Sequence, residues 1–180
     1  MADNEVTNNP AVQPADDRQG QRFGVQRVYI KDSSFEAPDT PNVFKQQYNP
    51  QVNFSINNKS TRIDEGLYEV VLRLTADVKQ DEKTIFLVEV HQAGIFEVRG
   101  IEGEQLEQVL TIACPNVLFP YGREAIDALV TRGSFPALLL APINFESIYM
   151  QAKQQQAQQG APAAAVTPPD PTAGTNGDSH

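Results

Sequence analysis

Few side chains in this sequence could carry acid–base or nucleophilic chemistry. The two histidines are His91 and His180, and His180 is the last residue, so no histidine-rich metal site or histidine-based catalytic arrangement can be assembled. We interpret His91 as a surface or interface residue. The single cysteine, Cys114, directly precedes a proline, and we interpret it as a buried structural thiol in preference to a nucleophile.

Three carboxylates, Glu102, Glu104 and Glu107, are close enough in sequence to suggest a general acid and base or ligands of a hard cation. Carboxylates also favour the first turn of a helix because they interact with its dipole, and we adopt that structural interpretation. Gly100 and Gly103 lack the spacing of a phosphate loop or a dinucleotide fingerprint, and the chain has no nucleophile elbow. The sequence therefore predicts a protein that is not an enzyme and uses no metal or cofactor.

The composition favours a binding protein with one domain. The chain has 180 residues of which 40% are hydrophobic, enough for one core. Its formal net charge of -9 argues against nucleic-acid binding, because phosphate recognition needs clustered lysine and arginine. A lone cysteine needs no oxidising compartment, the first residues do not resemble a signal peptide, and no stretch approaches the roughly 20 apolar residues of a membrane span. We therefore expect a cytoplasmic protein with no direct membrane insertion.

Both ends of the chain are poor in large apolar residues. The beginning is rich in Asn, Asp, Gln and Pro, and the end is rich in Ala, Pro, Gly and Thr. Neither composition offsets the entropy lost when a segment becomes ordered. We predict a disordered arm over residues 1–21, a folded domain over 22–157 and a disordered tail over 158–180.

The region after the arm shows the period-two pattern of β-strands. The pattern predicts four strands, over residues 25–36, 52–56, 68–78 and 84–94. In the first strand, Val28 and Ile30 fall on one face and Val25 and Tyr29 on the other. The polar turn 79–83 joins the last two strands into an antiparallel hairpin. Successive strands with polar connections suggest an antiparallel meander or a variant of one.

After the strands, the apolar spacing changes to that of helices. The first predicted helix begins near Glu102 and ends at Pro115, and the second covers residues 121–132. A third contains Phe145 and Ala152 on one face. Strands followed by helices predict an α+β fold.

The chain has more apolar residues than one face of a sheet needs. Both faces of the fourth strand around Leu87 are apolar, although a sheet covered by helices on one side should be wet on the other. Either an identical subunit or the remaining helix covers the second face. Apolar residues also lie between prolines in segments 36–50, 117–121 and 132–145, where they either line a groove or pack in the core.

Several strings resemble the SecB family of protein-export chaperones, in the same order and at compatible spacing. They are VYIKDSSFEAP, YEVVLRLT, FLVEVHQAGIF, GIEGEQ, CPNVLFPYGRE, RGSFPALLLAPINF and the QQQ that follows. The resemblance covers residues 25–156 and leaves out only the two ends. It implies a four-stranded antiparallel sheet with helices packed on one side, assembled as a dimer of dimers.

The resemblance also implies a function. SecB-type chaperones hold newly made precursor proteins unfolded and deliver them to SecA, the motor ATPase of the export channel, without a nucleotide or metal of their own. The client is any unfolded chain that exposes apolar and aromatic segments, and hydrophobic burial holds it along grooves. We therefore expect a homotetrameric holdase whose partners are unfolded precursor proteins and SecA.

Three sets of site residues follow from the resemblance by position. The SecA contacts fall on Asp32, Glu36, Leu87 and Glu89. The subunit contacts fall on Val88, Val90 and Gln92. The groove-lining residues that we choose are Val52, Phe54, Ile56, Phe119, Phe135 and Tyr149. Within each strand the SecA contacts share one face, which predicts a flat acidic surface around a leucine.

Two other functions remain as alternatives. A SecB-like chaperone dedicated to one client, such as an antitoxin, is the first, and the complete SecA contact set argues against it. A domain that binds a small lipid-like ligand in its apolar groove is the second, and it should have a closed pocket. Gly122 stands where the family often has alanine, and we expect it to weaken the helix slightly without altering function.

Overall fold

The computed structural model describes residues 20–159. The strands are β1 (Arg22–Glu36), β2 (Gln51–Asp64), β3 (Leu67–Gln80) and β4 (Lys83–Arg99), and a short 3-10 turn, Asn42–Lys45, lies between β1 and β2. The helical elements are α1 (Gly103–Gln108), a π-helical turn (Val109–Ala113), α2 (Cys114–Arg132) and α3 (Phe145–Gln159). Most of the predicted arm and tail, residues 1–19 and 160–180, lies outside the described residues, and their disorder stays a prediction.

All four strands form one antiparallel sheet in the order β1-β4-β3-β2. The predicted hairpin of β3 and β4 is confirmed, and its turn contains Asp81 and Glu82 with φ angles of 50° and 63°. Two positive φ angles in a two-residue turn match the type I′ geometry that suits twisted antiparallel strands. β1 pairs with β4 and not with β2, so residues 37–50 carry the chain from one edge of the sheet to the other. The sheet is a variant of the predicted meander.

The two faces of β4 differ in burial. We call the side under α2 the helix face and the opposite side the open face. The helix face of β4 carries Phe86, Val88, Val90, Gln92, Gly94, Phe96 and Val98, all buried. The open face carries Leu87, Glu89, His91, Ile95 and Glu97, all partly exposed, together with the small, buried Ala93. This alternation confirms the predicted period of the strand.

Helix α2 packs over the helix face at β3 and β4. Leu118 and Ile126 of α2 are completely buried, as are Leu72 and Leu74 of β3. The helix comes very near β4 at Gly94, where an added Cβ atom would lie 2.9 Å from Cδ2 of Leu118. Glycine is therefore needed at this position because any side chain would push the helix off the sheet.

The structure corrects the prediction that Pro115 ends the first helix. α1, the π-helical turn and α2 form one continuous helical rod. The chain stays helical from Gly103 to Arg132. Just before the proline the helix widens, because the N–H of Cys114 donates to the carbonyl of Val109, five residues earlier. A normal α-helical turn would press the proline ring against the carbonyl four residues earlier, and the wider turn relieves that contact.

The same finding corrects two further boundaries. The helix predicted over 121–132 begins at Cys114, and residues 117–121, which we considered for an irregular groove segment, are helical. Pro120 lies inside this helix. The helix ends as its sequence predicts, with Gly133 following the last helical residue and its N–H donating to the carbonyl of Leu129.

Helix α3 packs against the rod and stays in the same layer. The amine of Lys153 lies 2.9 Å from a carboxylate oxygen of Glu107, and the rings of Phe145 and Phe119 are 6.0 Å apart between centroids. α3 therefore runs antiparallel to the rod. It does not cover the open face, so the alternative in which the remaining helix covers the second face is wrong.

Candidate functional site

Four aromatic side chains gather around Phe135 at one end of the helix face. We call Phe35, Phe44, Tyr48, Phe86 and Phe135 the aromatic cluster. The Phe135 ring centroid lies 4.8 Å from that of Phe86 and 5.2 Å from that of Phe44. Phe135 itself is buried, but Phe44 is 51% exposed and Tyr48 is 39% exposed. The inner rings of the cluster are thus fixed in the core while the outer rings face solvent.

The crossover of residues 37–50 positions the two outer rings. Val43 is buried in the 3-10 turn and anchors the middle of the segment. The side chain of Gln80 anchors its end, because the amide oxygen accepts the N–H of Asn49 at 2.8 Å and the amide nitrogen donates to the carbonyl of Gln47 at 2.9 Å. Burial against the cluster raises the pKa of Tyr48. The crossover is therefore held to β3 with its aromatic residues against Phe135.

The predicted groove residues of β2 extend this apolar surface. Val52, Phe54 and Ile56 lie on the helix face, and each pairs with a fully buried residue of β3. β2 is an edge strand beyond the main contact of α2, so Val52 remains 46% exposed. Further along β2, the side-chain amide of Asn58 donates to the carbonyl of Leu110 at 2.9 Å and ties the strand to the π-helical turn. A shallow apolar strip therefore follows β2 away from the crossover.

The other two predicted groove residues anchor the contact between α2 and α3. Phe119 is buried against Phe145, and the guanidinium of Arg123 lies 6.0 Å from the centroid of its ring. Tyr149 is 8% exposed, the amine of Lys153 lies 5.4 Å from its ring centroid, and its hydroxyl has no hydrogen-bond partner among residues 20–159. Of the six predicted groove residues, the structure brings only Phe135 into the aromatic cluster.

Phe35 and Phe86 are members of the cluster that sequence reasoning did not assign to a site. Their rings are 5.7 Å apart between centroids, on the neighbouring strands β1 and β4. Their proximity follows from the register of β1 on β4, in which Phe35 pairs with Val88. Apolar alternation alone does not reveal which strands are neighbours.

The four predicted SecA contacts lie together on the open face. We call Asp32, Glu36, Leu87 and Glu89 the acidic surface. In the register of β1 on β4, Glu36 pairs with Leu87, and Asp32 pairs with His91, two residues beyond Glu89. Asp32 and Glu36 are exposed, whereas Leu87 and Glu89 are partly buried. The geometry thus yields a leucine flanked by carboxylates, on the side of the sheet opposite the aromatic cluster.

Glu89 is the most constrained carboxylate of this surface. One of its oxygens accepts from the guanidinium of Arg73 at 2.6 Å and from the hydroxyl of Thr75 at 2.9 Å. The other lies 2.9 Å from Nε2 of His91. Burial opposes ionisation of the carboxyl, but the hydrogen bonds from Arg73, Thr75 and His91 outweigh it and lower the pKa of Glu89. Sequence reasoning missed Arg73, although its place on the open face of β3 follows from the alternation.

The carboxylate of Glu69 connects β1 to β3 across the open face. The amine of Lys31 donates to both oxygens of Glu69, at 2.8 and 2.7 Å, and the hydroxyl of Tyr29 donates to the same carboxylate. These hydrogen bonds lower the pKa of Glu69. Burial and the neighbouring carboxylate raise the pKa of Tyr29 to about 12. The interaction fastens the edge strand β1 to β3 over the width of β4.

The predicted subunit contacts occupy the core of the single chain. Val88 and Val90 have no exposed surface, and Gln92 is 2% exposed. The amide nitrogen of Gln92 donates to the carbonyl of Tyr29 at 2.9 Å. Side chains that are already buried gain no further hydrophobic stabilisation in an interface. Their role in a subunit contact stays a prediction, and it requires them to act by positioning α2 and β1.

The residues weighed for chemistry have structural roles. Burial raises the pKa of the Cys114 thiol to about 12, which leaves almost no thiolate near neutral pH. Glu102 and Glu104 lie at the start of α1, where the dipole argument places them, and Glu107 pairs with Lys153. In the described part of the chain, no group of His, Cys, Asp and Glu is placed to hold a metal ion. No helix of residues 20–159 is long and apolar enough to cross a membrane.

A cavity of about 450 Å³ lies beside α1 and the π-helical turn, away from the aromatic cluster. Its lining includes Gln21, Gln105, Gln108 and Glu146, which make up half of its eight residues. The cavity is open to solvent, whereas a pocket for a lipid-like ligand is expected to enclose most of its ligand. This cavity therefore gives little support to the alternative of a small apolar ligand.

Comparisons with known proteins support the fold described above. The model of the family "Preprotein translocase subunit SecB" matches residues 16–156. The protein-export protein SecB of Marinobacter nauticus is 51% identical over 140 residues, which cover 78% of this chain and 85% of the relative. That of Stutzerimonas stutzeri is 49% identical over 163 residues, which cover 89% and 98%.

Among solved structures, a SecB-like chaperone of Mycobacterium tuberculosis, in complex with an antitoxin peptide, shares the fold. The match has a TM-score of 0.55 at 14% identity and covers 68% of this chain and 91% of that chain. This similarity supports the architecture of the sheet and helices. On the family match and on relatives near 50% identity over most of their length, the chain belongs to the SecB family of protein-export chaperones and is not an enzyme.

Proposed function

We propose that the protein is a cytoplasmic holdase that binds unfolded precursor proteins, keeps them competent for translocation and delivers them to the SecA motor. In this proposal it works as a homotetramer, a dimer of dimers. The observation that carries the proposal is the aromatic cluster, in which Phe44 and Tyr48 present exposed rings on a buried base around Phe135. Membership of the SecB family supports it.

The cluster and the β2 strip suit a client without fixed sequence. Completely burying an aromatic or aliphatic side chain contributes about 1.5–3 kcal/mol, so each half-exposed residue such as Phe44, Tyr48 or Val52 offers a client about 1 kcal/mol. Many such contacts add up along an extended chain. A folded protein hides the apolar segments that would make them. The surface therefore distinguishes unfolded from folded chains without reading a sequence.

The acidic surface supports the second step, delivery to SecA. Asp32 and Glu36 expose their carboxylates beside Leu87, an arrangement that fits a basic partner with an apolar contact at its centre. This surface lies on the open face, whereas the aromatic cluster lies on the helix face. A client and the motor can therefore bind the same subunit at the same time.

An exposed apolar strip along β1 supports subunit pairing. Phe23, Val25 and Ile30 are 42%, 45% and 53% exposed, although they lie on the same face as the core residues of β4. β1 is also an edge strand of fifteen residues, and a long unpaired edge invites pairing with another chain. A second copy packed along β1 would bury both the strip and the edge.

The two alternatives make different demands on the chain. A SecB-like chaperone dedicated to one client has no need of the acidic surface, whose four residues the geometry brings together. A small-ligand domain needs an apolar enclosed site, and the exposed rings of Phe44 and Tyr48 do not form one. The general holdase uses both surfaces.

Complex formation with a slow-folding precursor tests the proposal. The unfolded precursor is mixed with the protein in one sample and the folded precursor in a second sample. Binding is followed by light scattering. We expect a complex with the unfolded precursor alone. Binding of both forms, or of neither, contradicts the holdase function.

Substitutions in the cluster sharpen this test. Phe44→Ala and Tyr48→Ala together should weaken capture of the unfolded precursor about tenfold or more, since two partly exposed rings are lost. Ile63→Ala is a matched control because Ile63 is 49% exposed at the far end of β2. Equal loss in the control and in the double variant would exclude the cluster as the client site.

Charge reversal at Asp32 and Glu36 tests the delivery step separately. Asp32→Lys with Glu36→Lys should weaken SecA binding and leave precursor capture intact, because the acidic surface and the cluster lie on opposite faces of the sheet. Equal loss of both activities would rule out a separate motor surface.

A further inference from the structure

The three carboxylates of the acidic surface are in two different states. Glu89 is already engaged within the chain, by Arg73 at 2.6 Å on one oxygen and by His91 at 2.9 Å on the other. Asp32 and Glu36 are exposed and make no side-chain hydrogen bond or ion pair with any residue from 20 to 159. Only these two have charges that a partner can meet without breaking an existing contact.

His91 lies at the centre of this arrangement. In the register of the sheet it pairs with Asp32 of β1 on one side and with Arg73 of β3 on the other. Neighbouring strands are about 4.8 Å apart, so the imidazole lies among the charged groups of three strands. The charged groups that face it are Asp32, Arg73 and Glu89, whereas nearby Lys31 is taken up by Glu69.

The contacts of Glu89 leave the surface acidic. Three carboxylates and the guanidinium of Arg73 together carry two negative charges. Because Arg73 and His91 hold Glu89 from both of its oxygens, the two carboxylates that remain free are those of Asp32 and Glu36.

We propose that Arg73 and His91 are positioning residues of the SecA-binding surface. They hold Glu89 as a fixed, hydrogen-bonded carboxylate beside Leu87, so that cationic groups of the partner pair with Asp32 and Glu36. This proposal rests on the proposed delivery to SecA and adds two residues to the surface, together with a division of labour among its carboxylates.

The different roles of the carboxylates can be distinguished by experiment. If Glu89 paired with the partner, Glu89→Gln would reduce the salt dependence of SecA binding as much as Asp32→Asn does. A fixed carboxylate gives another result, because its loss weakens binding at low and high salt by the same factor. We expect a reduced salt dependence in Asp32→Asn and an unchanged one in Glu89→Gln.

Calorimetric titration tests the role of His91. Purified SecA is titrated into the full-length protein at one pH and one salt concentration. We expect His91→Ala, which removes the donor to Glu89, to weaken SecA binding about threefold to fivefold, the size of one partly exposed charge interaction. His91→Gln keeps a side-chain donor for Glu89, so its affinity should stay close to that of the wild type.

Two further variants complete the test. Arg73→Gln should weaken SecA binding and Arg73→Lys should restore most of it, because lysine can still donate to Glu89. Glu97→Gln is the matched control, since Glu97 lies on the open face at the other end of β4 and pairs there with Arg99 at 2.8 Å. Thermal denaturation of every variant checks that it is folded.

Failure of the positioning roles can be distinguished from failure of the proposed delivery to SecA. If the wild type does not bind SecA, the delivery step is wrong and this proposal falls with it. If the wild type binds, but His91→Ala or Arg73→Gln binds as tightly as Glu97→Gln, only the positioning roles are refuted.

Discussion

Gly122 of α2 offers a sharp test of how closely the helix packs on the sheet. Gly122→Ala replaces the residue with the one expected to suit a helix best, and removing an interior glycine normally stabilises a protein by about 1 kcal/mol. The added Cβ atom would lie 2.6 Å from Cδ1 of Leu74 and 3.3 Å from Cβ of Gln92. Leu74 is completely buried, so its side chain can move away only by displacing other residues of the core.

The cost of this contact outweighs the gain in helix propensity. Adding a methyl group to a tightly packed core costs about 1–3 kcal/mol. We therefore expect Gly122→Ala to lower the free energy of unfolding by about 1 kcal/mol. This revises the sequence-based expectation that glycine at this position merely weakens the helix.

A double-mutant cycle with Leu74→Val isolates the contact. Valine lacks the Cδ1 atom, so Leu74→Val alone should cost about 1 kcal/mol while making room for the new methyl group. In that background Gly122→Ala should stabilise, and the coupling between the two sites should reach about 1–2 kcal/mol. Urea denaturation followed by circular dichroism at one protein concentration measures all four proteins.

If Gly122→Ala raises the free energy of unfolding in the wild type, and by the same amount with Leu74→Val, the two sites do not interact. The close approach of α2 to β3 would then be absent in solution.

Three other expectations concern strain, charge and thiol reactivity. Leu139 is 79% exposed at a φ of 48°, so Leu139→Gly should raise the stability by about 1 kcal/mol in thermal denaturation. Glu69→Gln should destabilise by about 1 kcal/mol near neutral pH, because it removes the carboxylate that Lys31 binds. That difference should vanish as the pH falls through the lowered pKa of Glu69, since the protonated wild type loses the same interaction. With its pKa raised to about 12, Cys114 should react with a thiol reagent at about pH 8 only as fast as the protein unfolds.

Each of these expectations has its own control. Leu139→Ala keeps the Cβ atom and hence the strain, so equal stabilisation by Ala and Gly would contradict the φ argument. For Glu69, the sign follows from a pKa that is lower in the folded protein, so a difference that grows at acidic pH would contradict it. Rapid labelling of Cys114 in the folded protein would show that the thiol is accessible.

The strands could be predicted because alternation of apolar residues encodes their faces directly. β3 and β4, their hairpin and the α+β class followed from this pattern. The faces of β1 followed only in part. The pattern places Val25 with Tyr29, but the register shifts between Val25 and Arg27, which puts Val25 on the helix face with Val28. A β-bulge inserts one residue, and nothing in the local apolar pattern marks its position.

The helices and the aromatic cluster differ from expectation for other reasons. Pro115 predicts the end of a helix, yet the π-helical turn before it lets the rod continue. Within that turn the Leu110 carbonyl accepts from the side chain of Asn58 on β2, a long-range contact that the local sequence does not reveal. The aromatic cluster depends on the crossover, which joins residues from four separate segments. Such contacts depend on strand order, which a single sequence does not contain.

The order of strands in the sheet also has a consequence for how the chain is made. β1 leaves the ribosome first, but its partner β4 ends at Arg99, which pairs with Arg22. Translation proceeds at about 5–20 residues per second, so β1 waits for several seconds without a partner. The hairpin of β3 and β4 is local in sequence, whereas β1 must close a long loop to reach β4, so we expect β1 to join the sheet last. During synthesis the chain therefore exposes an unpaired apolar segment of the kind that we propose its mature surface binds.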